Sequence, residues 1–283
     1  MKPFKTVTAV LLGAGLLSGL APVSACAELA QTDAKTLRDY TEIMVSMVND
    51  ARVEEGLSEL YIAPVLNGYA DTRAKELTEF FSHERPAGKS HTLDENGEPD
   101  NACFTVMKDD GFFYNYAAEN IAAGNQSPAE TFNQYMNSAK HRKNIMTNDL
   151  THIGIGYVFD PTATPEPDHI TYQHYWSMLL IASYDAFNTP VTYEGQYIPE
   201  RELGDADGSK VIDSVDAVRI MQYSAKRSAG ANPQVTDAFW NASDVNGDGK
   251  INAIDASIVL RYSTARGADS EAVIEDFIWQ TNS

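Results

Sequence analysis

Apolar residues recur at steps of three and four in the first half of the chain and predict three helices. Residues 33–56 and 64–81 each carry one apolar stripe, and the first stripe ends at a glycine while the second opens with a proline. The third helix begins after Ser127, because Pro128 suits the first helical position and Glu130 completes a capping box. Each helix is amphipathic and therefore needs a surface to cover.

Two runs rich in β-branched and aromatic residues, 152–159 and 170–181, predict strands that provide this surface. The stretch 161–167, which contains Pro and Thr, predicts a hairpin-type connection between them. Residues 84–112 show no periodicity and are predicted as loop. The periodicity disappears again over residues 188–202, which predicts a linker to a second domain.

The residues after 203 contain an internal repeat. Two acidic segments, 205–216 and 244–255, share the same spacing of ligand-type side chains and lie 39 residues apart. Each segment runs into an apolar helix that ends in Tyr-Ser. The repeat predicts a small all-α domain over residues 203–283, built from two loop–helix units.

The composition narrows the classes of partner. Lys and Arg total 21 against 40 Asp and Glu, so the net charge of −19 disfavours nucleic acid and anionic lipid and suits cations. The hydrophobic fraction of 43% supports a sizeable core and excludes a largely disordered chain. The two cysteines, Cys26 and Cys103, are too few for a disulfide framework or a cysteine zinc site.

Residues 1–27 have the pattern of a secretory signal peptide. Lys2 and Lys5 precede an uncharged apolar run over residues 7–20 that is too short to span a membrane. Cleavage after Ala27 gives a soluble secreted protein, whereas cleavage before Cys26, in a sequence like a bacterial lipobox, gives a lipoprotein anchored at that cysteine. No later apolar stretch reaches the roughly 20 residues of a spanning helix, so we expect an extracellular protein without a membrane span.

Both acidic segments fit the ligand pattern of a calcium loop, and we call them loop one (205–216) and loop two (244–255). Calcium takes about six to eight oxygen ligands, which such a loop supplies from positions 1, 3, 5, 7, 9 and 12. Loop two has Gly249 at position six, where the sharp turn favours glycine, but loop one has Lys210, which predicts weaker binding. The predicted ligands of the two calcium ions are Asp205, Asp207, Ser209, the Val211 carbonyl, Asp213 and Asp216, and Asp244, Asn246, Asp248, the Lys250 carbonyl, Asn252 and Asp255.

This tandem arrangement resembles a type I dockerin domain over residues 203–266, a family in which Asp takes position twelve and both calcium ions are needed for folding. The resemblance implies binding to a cohesin domain of a scaffoldin or cell-surface protein, in a cellulosome that degrades plant polysaccharide. It implies that the partner is chosen by Ser214, Val215, Met221 and Gln222 in the first unit, and by Ala253, Ile254, Leu260 and Arg261 in the second. The helical spacing of the apolar residues among them also fits core positions.

Five segments of the first domain resemble, in order and spacing, the bacterial form of the CAP superfamily of cysteine-rich secretory and pathogenesis-related proteins. They include Ser-His-Glu-Arg-Pro-Ala-Gly at 82–88 and Glu-Asn-Ile-Ala-Ala-Gly at 119–124, followed by residues 136–145, 154–157 and 175–176. The resemblance implies an α-β-α sandwich over residues 34–187. The whole chain is therefore predicted as α+β, a CAP domain followed by an all-α dockerin domain.

The CAP resemblance also implies a cleft in which two His and two Glu hold a divalent metal. His83 matches the first His and Glu119 the first Glu, but Ser138 occupies the second Glu position and Tyr175 the second His position. His141, typical of the bacterial branch, is predicted to face the same cleft. Because two of the four ligands are missing, a closed metal site is not expected. Three further histidines are predicted at the surface, without a role: His91, His152 and His169.

Three functions are compatible with this cleft. A hydrolase would use Glu119 as general base with His83 or His141 orienting it or a metal-bound water, yet no serine-hydrolase or zinc-protease motif occurs and Cys103 lacks a recognisable partner. A binding domain would take a lipid, a peptide or a glycan, and we favour this function. A structural or adhesive surface module is the third alternative.

Overall fold

The structure is a computed structural model and describes residues 33–112, 114–162, 172–183 and 200–278. The predicted signal peptide with Cys26, the segment with His169 and most of the predicted linker lie outside these residues. Among the described residues, no helix is long and apolar enough to cross a membrane.

The predicted helices of the first domain are confirmed, and their caps explain where they begin. The Asp33 side chain accepts a hydrogen bond from the Thr36 amide at 2.9 Å, and the Ser127 hydroxyl accepts one from the Glu130 amide at 3.2 Å. The prediction that residues 84–112 form a loop is wrong over Thr105–Lys108. These residues form a short helix whose apolar side chains are buried in the core. The helices are α1 (Ala34–Glu54), α2 (Pro64–Glu79), α3 (Thr105–Lys108), α4 (Pro128–Asn137) and α5 (Ala139–Ile145).

Four strands form one mixed sheet in the order β1-β3-β4-β2. The first pair is parallel and the other two pairs are antiparallel. The strands are β1 (Tyr61–Ile62), β2 (Tyr116–Ala123), β3 (His152–Phe159) and β4 (His174–Ala182). The prediction that His152 lies at the surface is wrong, because this residue is buried at the start of β3 and its Nδ1 lies 2.8 Å from the Thr151 hydroxyl.

Side chains alternate between the two faces of this sheet, and helices cover both. On β4, Trp176, Met178 and Leu180 join a core cluster with α1 and α4, whereas Leu179 and Ile181 join a cluster with α2 and α3. This arrangement confirms the α+β prediction for the first domain. Residues at odd positions of β2 face α2, and this parity decides the orientation of the site residue Glu119.

Helix α2 lies unusually close to β3 because two glycines make room for it. A Cβ atom on Gly156 would lie 2.1 Å from the carbonyl oxygen of Ala70, and one on Gly154 would lie 2.5 Å from that of Leu66. Any side chain at either glycine would push the helix off the sheet. The close approach holds α2, which supplies charged residues to the site, in a fixed position.

The C-terminal region is helical, which confirms the predicted all-α class. Helices α6 and α8 each follow one predicted calcium loop and pack against each other around Ile220, Ile258 and Val259. The helices of this region are α6 (Ser214–Ser228), α7 (Asp237–Ser243), α8 (Ala253–Arg266) and α9 (Glu275–Ile278).

The end of this region returns to its beginning. Ile274 is buried in the helical core, and its Cδ1 lies 2.5 Å from the place where a Cβ atom on Gly204 would stand. Tyr262 and Phe277 meet edge to face with ring centres 6.0 Å apart. The chain on either side of the repeat therefore closes over the same core.

Candidate functional site

Glu119 is the buried centre of the predicted cleft. It lies on β2 and faces α2, and its side chain is 1% exposed. Its Oε1 accepts a hydrogen bond from Arg73 Nε at 2.8 Å, and its Oε2 lies 2.8 Å from His83 Nδ1. Because the His83 side chain is 58% exposed, the pair links a buried carboxylate to the surface. The structure thus brings His83 and Glu119 into direct contact.

Arg73 extends this pair into a buried charge network. Its Nη1 bonds to Glu76 Oε2 at 2.7 Å, and Arg85 Nη2 bonds to the other oxygen of Glu76 at 2.7 Å. The network ends where Arg85 Nη1 meets Asp109 at 2.9 Å. Burial alone would lower the pKa of Arg73, but Glu119 and Glu76 raise it above its ordinary value. Two guanidinium groups therefore neutralise the carboxylates from inside the fold.

His141 is held beside this cleft by two asparagines. Asn120, next to Glu119, donates from Nδ2 to the His141 carbonyl oxygen at 3.1 Å and accepts from Asn144 Nδ2 at 2.9 Å. The His141 Nδ1 atom is buried without a hydrogen-bond partner among the described residues. Burial, the nearby His83 and Lys140 lower the pKa of His141, so its neutral form is favoured near pH 7. The ring therefore keeps one buried nitrogen that no described residue satisfies.

Tyr175, the fourth predicted cleft residue, lies further along the same face of the sheet. It pairs with Ala123, four residues beyond Glu119 on β2, which corresponds to a distance of about 13 Å. Its hydroxyl oxygen accepts a hydrogen bond from the Tyr172 amide at 3.2 Å, and its ring packs near Phe81. Burial raises the pKa of Tyr175. It contributes an aromatic wall and not a charged ligand.

Cys103 does not supply a nucleophile. It is buried, and burial followed by the charge of Glu119 raises the pKa of its thiol far above the ordinary range. A nucleophilic cysteine needs the thiolate form, which this setting disfavours.

The cleft residues do not fit a divalent metal. Each oxygen of Glu119 already makes one contact, with Arg73 Nε and with His83 Nδ1, and the carboxylate is buried, so a metal would have to displace or share these partners. A cation at this carboxylate would also lie beside the buried positive charge of Arg73. The side chains at the two remaining ligand positions are Ser138 and Tyr175, neither of which is a preferred ligand.

Loop one gathers three carboxylates, and the nearby Arg201, whose ion pair is with Asp50, only partly opposes the effect of burial on the pKa of Asp205. Oxygen atoms of Asp205, Asp207 and Asp216 lie within 4.8 Å of one another. Asp205 Oδ1 is buried without a hydrogen-bond partner among the described residues. Burial raises the pKa of Asp205 to about 6 and that of Asp216 to about 7. An orphaned oxygen in a group of carboxylates fits a hard cation such as calcium.

The two loops share one hydrogen-bond pattern. In loop one, the amides at positions three and nine donate to the two oxygens of Asp216, at 3.0 and 2.7 Å. The equivalent amides of loop two donate to Asp255, at 3.2 and 2.9 Å. Position six adopts positive φ in both, 65° at Lys210 and 78° at Gly249. The two loops that carry the predicted ligands at positions one, three, five and nine therefore share the same backbone fold.

Comparison with known proteins identifies both regions. The family described as cysteine-rich secretory protein (CAP) matches residues 45–178, and the type I dockerin domain matches residues 203–262. The chain carries a CAP domain followed by a type I dockerin domain.

Three bacterial proteins illustrate what this chain is similar to. The uncharacterized protein YkwD of Bacillus subtilis is 36% identical over 121 residues, 42% of this chain and 42% of that protein, so the chain spans less than half of this relative. An extracellular protein with an SCP domain from Bacillus anthracis covers 54% of this chain and 45% of its own, at 17% identity and a TM-score of 0.41. An outer surface protein of Borrelia burgdorferi covers 54% of this chain and 98% of its own, at 18% identity and a TM-score of 0.40.

The predicted partner positions of the dockerin domain lie mostly at the surface. The alternative that its apolar members belong to the core is wrong, because all four are exposed. Arg261 differs, since it is half-buried and its Nη2 donates to the Phe277 carbonyl oxygen at 2.7 Å. The exposed positions are Ser214, Val215, Met221, Gln222, Ala253, Ile254 and Leu260.

Proposed function

We propose that this protein is secreted, that its dockerin domain binds a cohesin domain when calcium is present, and that it thereby presents a ligand-binding CAP domain at a cellulosome or cell surface. The context that suits this arrangement is plant polysaccharide degradation. Attachment through a lipidated Cys26 is a second route to the same location.

The observation that carries the proposal is the exposed apolar surface next to the calcium loops. Val215, Val218 and Met221 lie three residues apart on α6 and are all exposed. Ile254 and Leu260 are exposed at the positions of α8 that correspond to Val215 and Met221 in the repeat. Exposed apolar side chains grouped in this way are typical of a protein–protein interface. Each row begins at the end of a calcium loop, so an ordered loop sets the start of the helix that carries it.

For the cleft, the contacts favour binding over hydrolysis. A general base needs a free oxygen within hydrogen-bond reach of a substrate proton. Both oxygens of Glu119 are engaged and buried, whereas the His83 ring is exposed and the buried His141 Nδ1 has no hydrogen-bond partner among the described residues. The exposed Phe80 and Phe81 extend the rim with apolar surface, which suits a lipid, a peptide or a glycan.

Calorimetry of the mature chain with a panel of cohesin domains tests the docking. We expect binding in calcium and none after chelation. Adding a charge to each apolar row, in Val215→Asp/Met221→Asp/Ile254→Asp/Leu260→Asp, weakens binding by about 100-fold or more. Ala231→Asp/Ala268→Asp is the control, because it adds carboxylates to exposed turns after the same two helices. Unchanged affinity of the four-residue variant would refute docking through these rows.

Thermal shift of the mature chain with a fatty acid, a peptide library and cello-oligosaccharides tests the cleft. A ligand that stabilises the CAP domain should lose its effect in His83→Ala or His141→Ala, while the folded state persists by circular dichroism. Turnover of any of these probes that is abolished by Glu119→Gln would instead establish hydrolysis.

A further inference from the structure

The dockerin domain contacts one face of helix α1 in the CAP domain, and Asp50 lies at the centre of this contact. The Asp50 side chain is 8% exposed. It pairs with Arg201 Nη2 at 2.8 Å and with Arg219 Nη2 at 3.2 Å, and it accepts a hydrogen bond from the Thr236 hydroxyl at 3.1 Å. Residues from before loop one, from α6 and from the start of α7 therefore converge on one buried carboxylate.

Further ion pairs flank this centre along the same stripe of α1. Lys210 of loop one pairs with Asp39 at 2.9 Å and with Glu42, and Lys226 at the end of α6 pairs with Glu54. Positions 42, 46, 50 and 54 are four residues apart, so they lie along one side of the helix. In a chain with 40 acidic and 21 basic residues, four basic side chains are thus matched to four acidic ones.

The backbone of loop one itself lies against α1. A Cβ atom on Gly208 would stand 2.5 Å from the Ser46 hydroxyl oxygen. Arg201 bridges the two surfaces, because its Nε donates to the same hydroxyl at 2.8 Å and its Nη1 donates to the Ala206 carbonyl oxygen at 2.6 Å. In loop two, by contrast, a Cβ atom on Gly247 or Gly249 would meet nothing within 4 Å.

This contact accounts for the lysine at position six of loop one. Among the described residues, Lys210 is the non-glycine residue with positive φ, a conformation that costs about 1 kcal/mol for a side chain of this kind. Glycine would avoid that cost, as it does in loop two. The lysine instead gains two ion pairs with α1, which glycine cannot make.

We propose that loop one is a docking surface for α1, so that calcium in loop one and the association of the two domains stabilise each other. The inference rests on the proposed calcium site. Without a cation, the three carboxylates of loop one repel one another and the loop is not held in the shape that brings Gly208 and Lys210 to α1. Because such coupling is reciprocal, the docked CAP domain raises the calcium affinity of loop one and not that of loop two.

Small-angle scattering of the mature chain measures the docking, and calorimetry measures the two calcium-binding steps. We expect a compact particle in calcium and an extended one in chelator. Glu42→Lys/Glu54→Lys should be extended even in calcium and should weaken one calcium step about threefold to tenfold. Adding Lys210→Glu/Lys226→Glu to this variant exchanges the charges across the contact and should restore both properties.

The control is Glu95→Lys/Glu98→Lys, which makes the same charge change on an exposed turn away from α1 and should behave as the natural sequence does. A natural chain that is as extended in calcium as Glu42→Lys/Glu54→Lys overturns the docking. Calcium steps that are equal in both proteins overturn the coupling. A protein that binds no calcium overturns the calcium site and the coupling together, whereas bound calcium without compaction overturns this inference alone.

Discussion

The cleft of the CAP domain and loop one of the dockerin domain both bury carboxylates, but they obtain the balancing charge from different sources. In the cleft, Arg73 and Arg85 are part of the same chain and pair with Glu76 and Glu119. In loop one, the three clustered aspartates lie close to one another, and Asp205 Oδ1 has no hydrogen-bond partner among the described residues.

The comparison shows that the source of the balancing charge decides whether the stability of a domain depends on the cations in solution. A carboxylate paired with a buried arginine is stable whatever ions the solution contains, and breaking the pair leaves an uncompensated charge. A carboxylate cluster that needs a bound cation is stabilised only in proportion to the binding of that cation. With the proposed calcium sites, one chain joins a domain whose buried charges balance internally to a domain whose acidic loops depend on a bound cation.

Removing calcium should produce the largest difference in stability between the two domains. At a calcium concentration of about 1,000 times Kd, each bound ion contributes about 4 kcal/mol to folding. With a chelator, we expect the dockerin domain to lose its helical signal in circular dichroism and its thermal transition, while the transition of the CAP domain remains. A dockerin transition that is unchanged in chelator would show that the acidic loops do not need an ion.

Removing the internal cation of the cleft should affect only the CAP domain. Arg73→Met leaves Glu76 and Glu119 buried without this partner, so we expect a loss of about 3–5 kcal/mol in the free energy of unfolding, which added calcium does not restore. Arg142→Met is the matched control, since its pair with Glu55 is exposed and its loss costs less than about 1 kcal/mol. Equal losses in urea unfolding of the two variants would contradict the role of the buried network.

The smallest effect concerns Asp71 of α2, a carboxylate whose burial outweighs the opposing charge of Lys75. Burial raises its pKa to about 6, although Lys75 and the Tyr157 amide oppose the shift. Because the folded state binds this proton more tightly than the unfolded state, the contribution of Asp71 to stability is present below about pH 4 and is lost as the pH rises through 6.

Asp71→Asn should therefore gain stability relative to the natural sequence between pH 4 and 7, by roughly 1 kcal/mol after allowance for partial solvent screening. The measurement is the calcium-independent thermal transition at several pH values. Asp110→Asn, at an exposed position, serves as the control and should show no such gain. A stability difference that is independent of pH would rule out titration of Asp71 as the cause.

Much of the fold follows from local sequence signals. The apolar periodicity from residue 33 predicts α1, the cap at Ser127 marks the start of α4, and the β-rich run at 152–159 coincides with β3. The two calcium loops follow from a repeat, which needs no tertiary information. Strand β2 is not apparent, because its Ala-rich sequence has one β-branched residue, Ile121, and the strand depends on pairing with β4.

The cleft is only partly predictable for a related reason. His83 and Glu119 belong to recognisable segments, but Arg73, Glu76 and Arg85 come from elsewhere in the sequence and meet only in the folded chain. One signal does exist, since Arg73 and Glu76 interrupt the buried apolar stripe of α2. Charges within such a stripe must find partners in the interior, although the spacing does not say which ones.

Because the beginning and the end of the dockerin domain lie close together, the domain can be joined to other proteins as one unit. Its first residues and its tail meet where Gly204 lies against Ile274, so the polypeptide enters and leaves the domain at neighbouring points. A segment with adjacent ends can be joined to an unrelated protein by recombination without dividing its core. The transferable unit must include residues beyond the repeat. A domain truncated after Tyr262 would lack Ile274 and Phe277 and would expose the apolar surface that they cover.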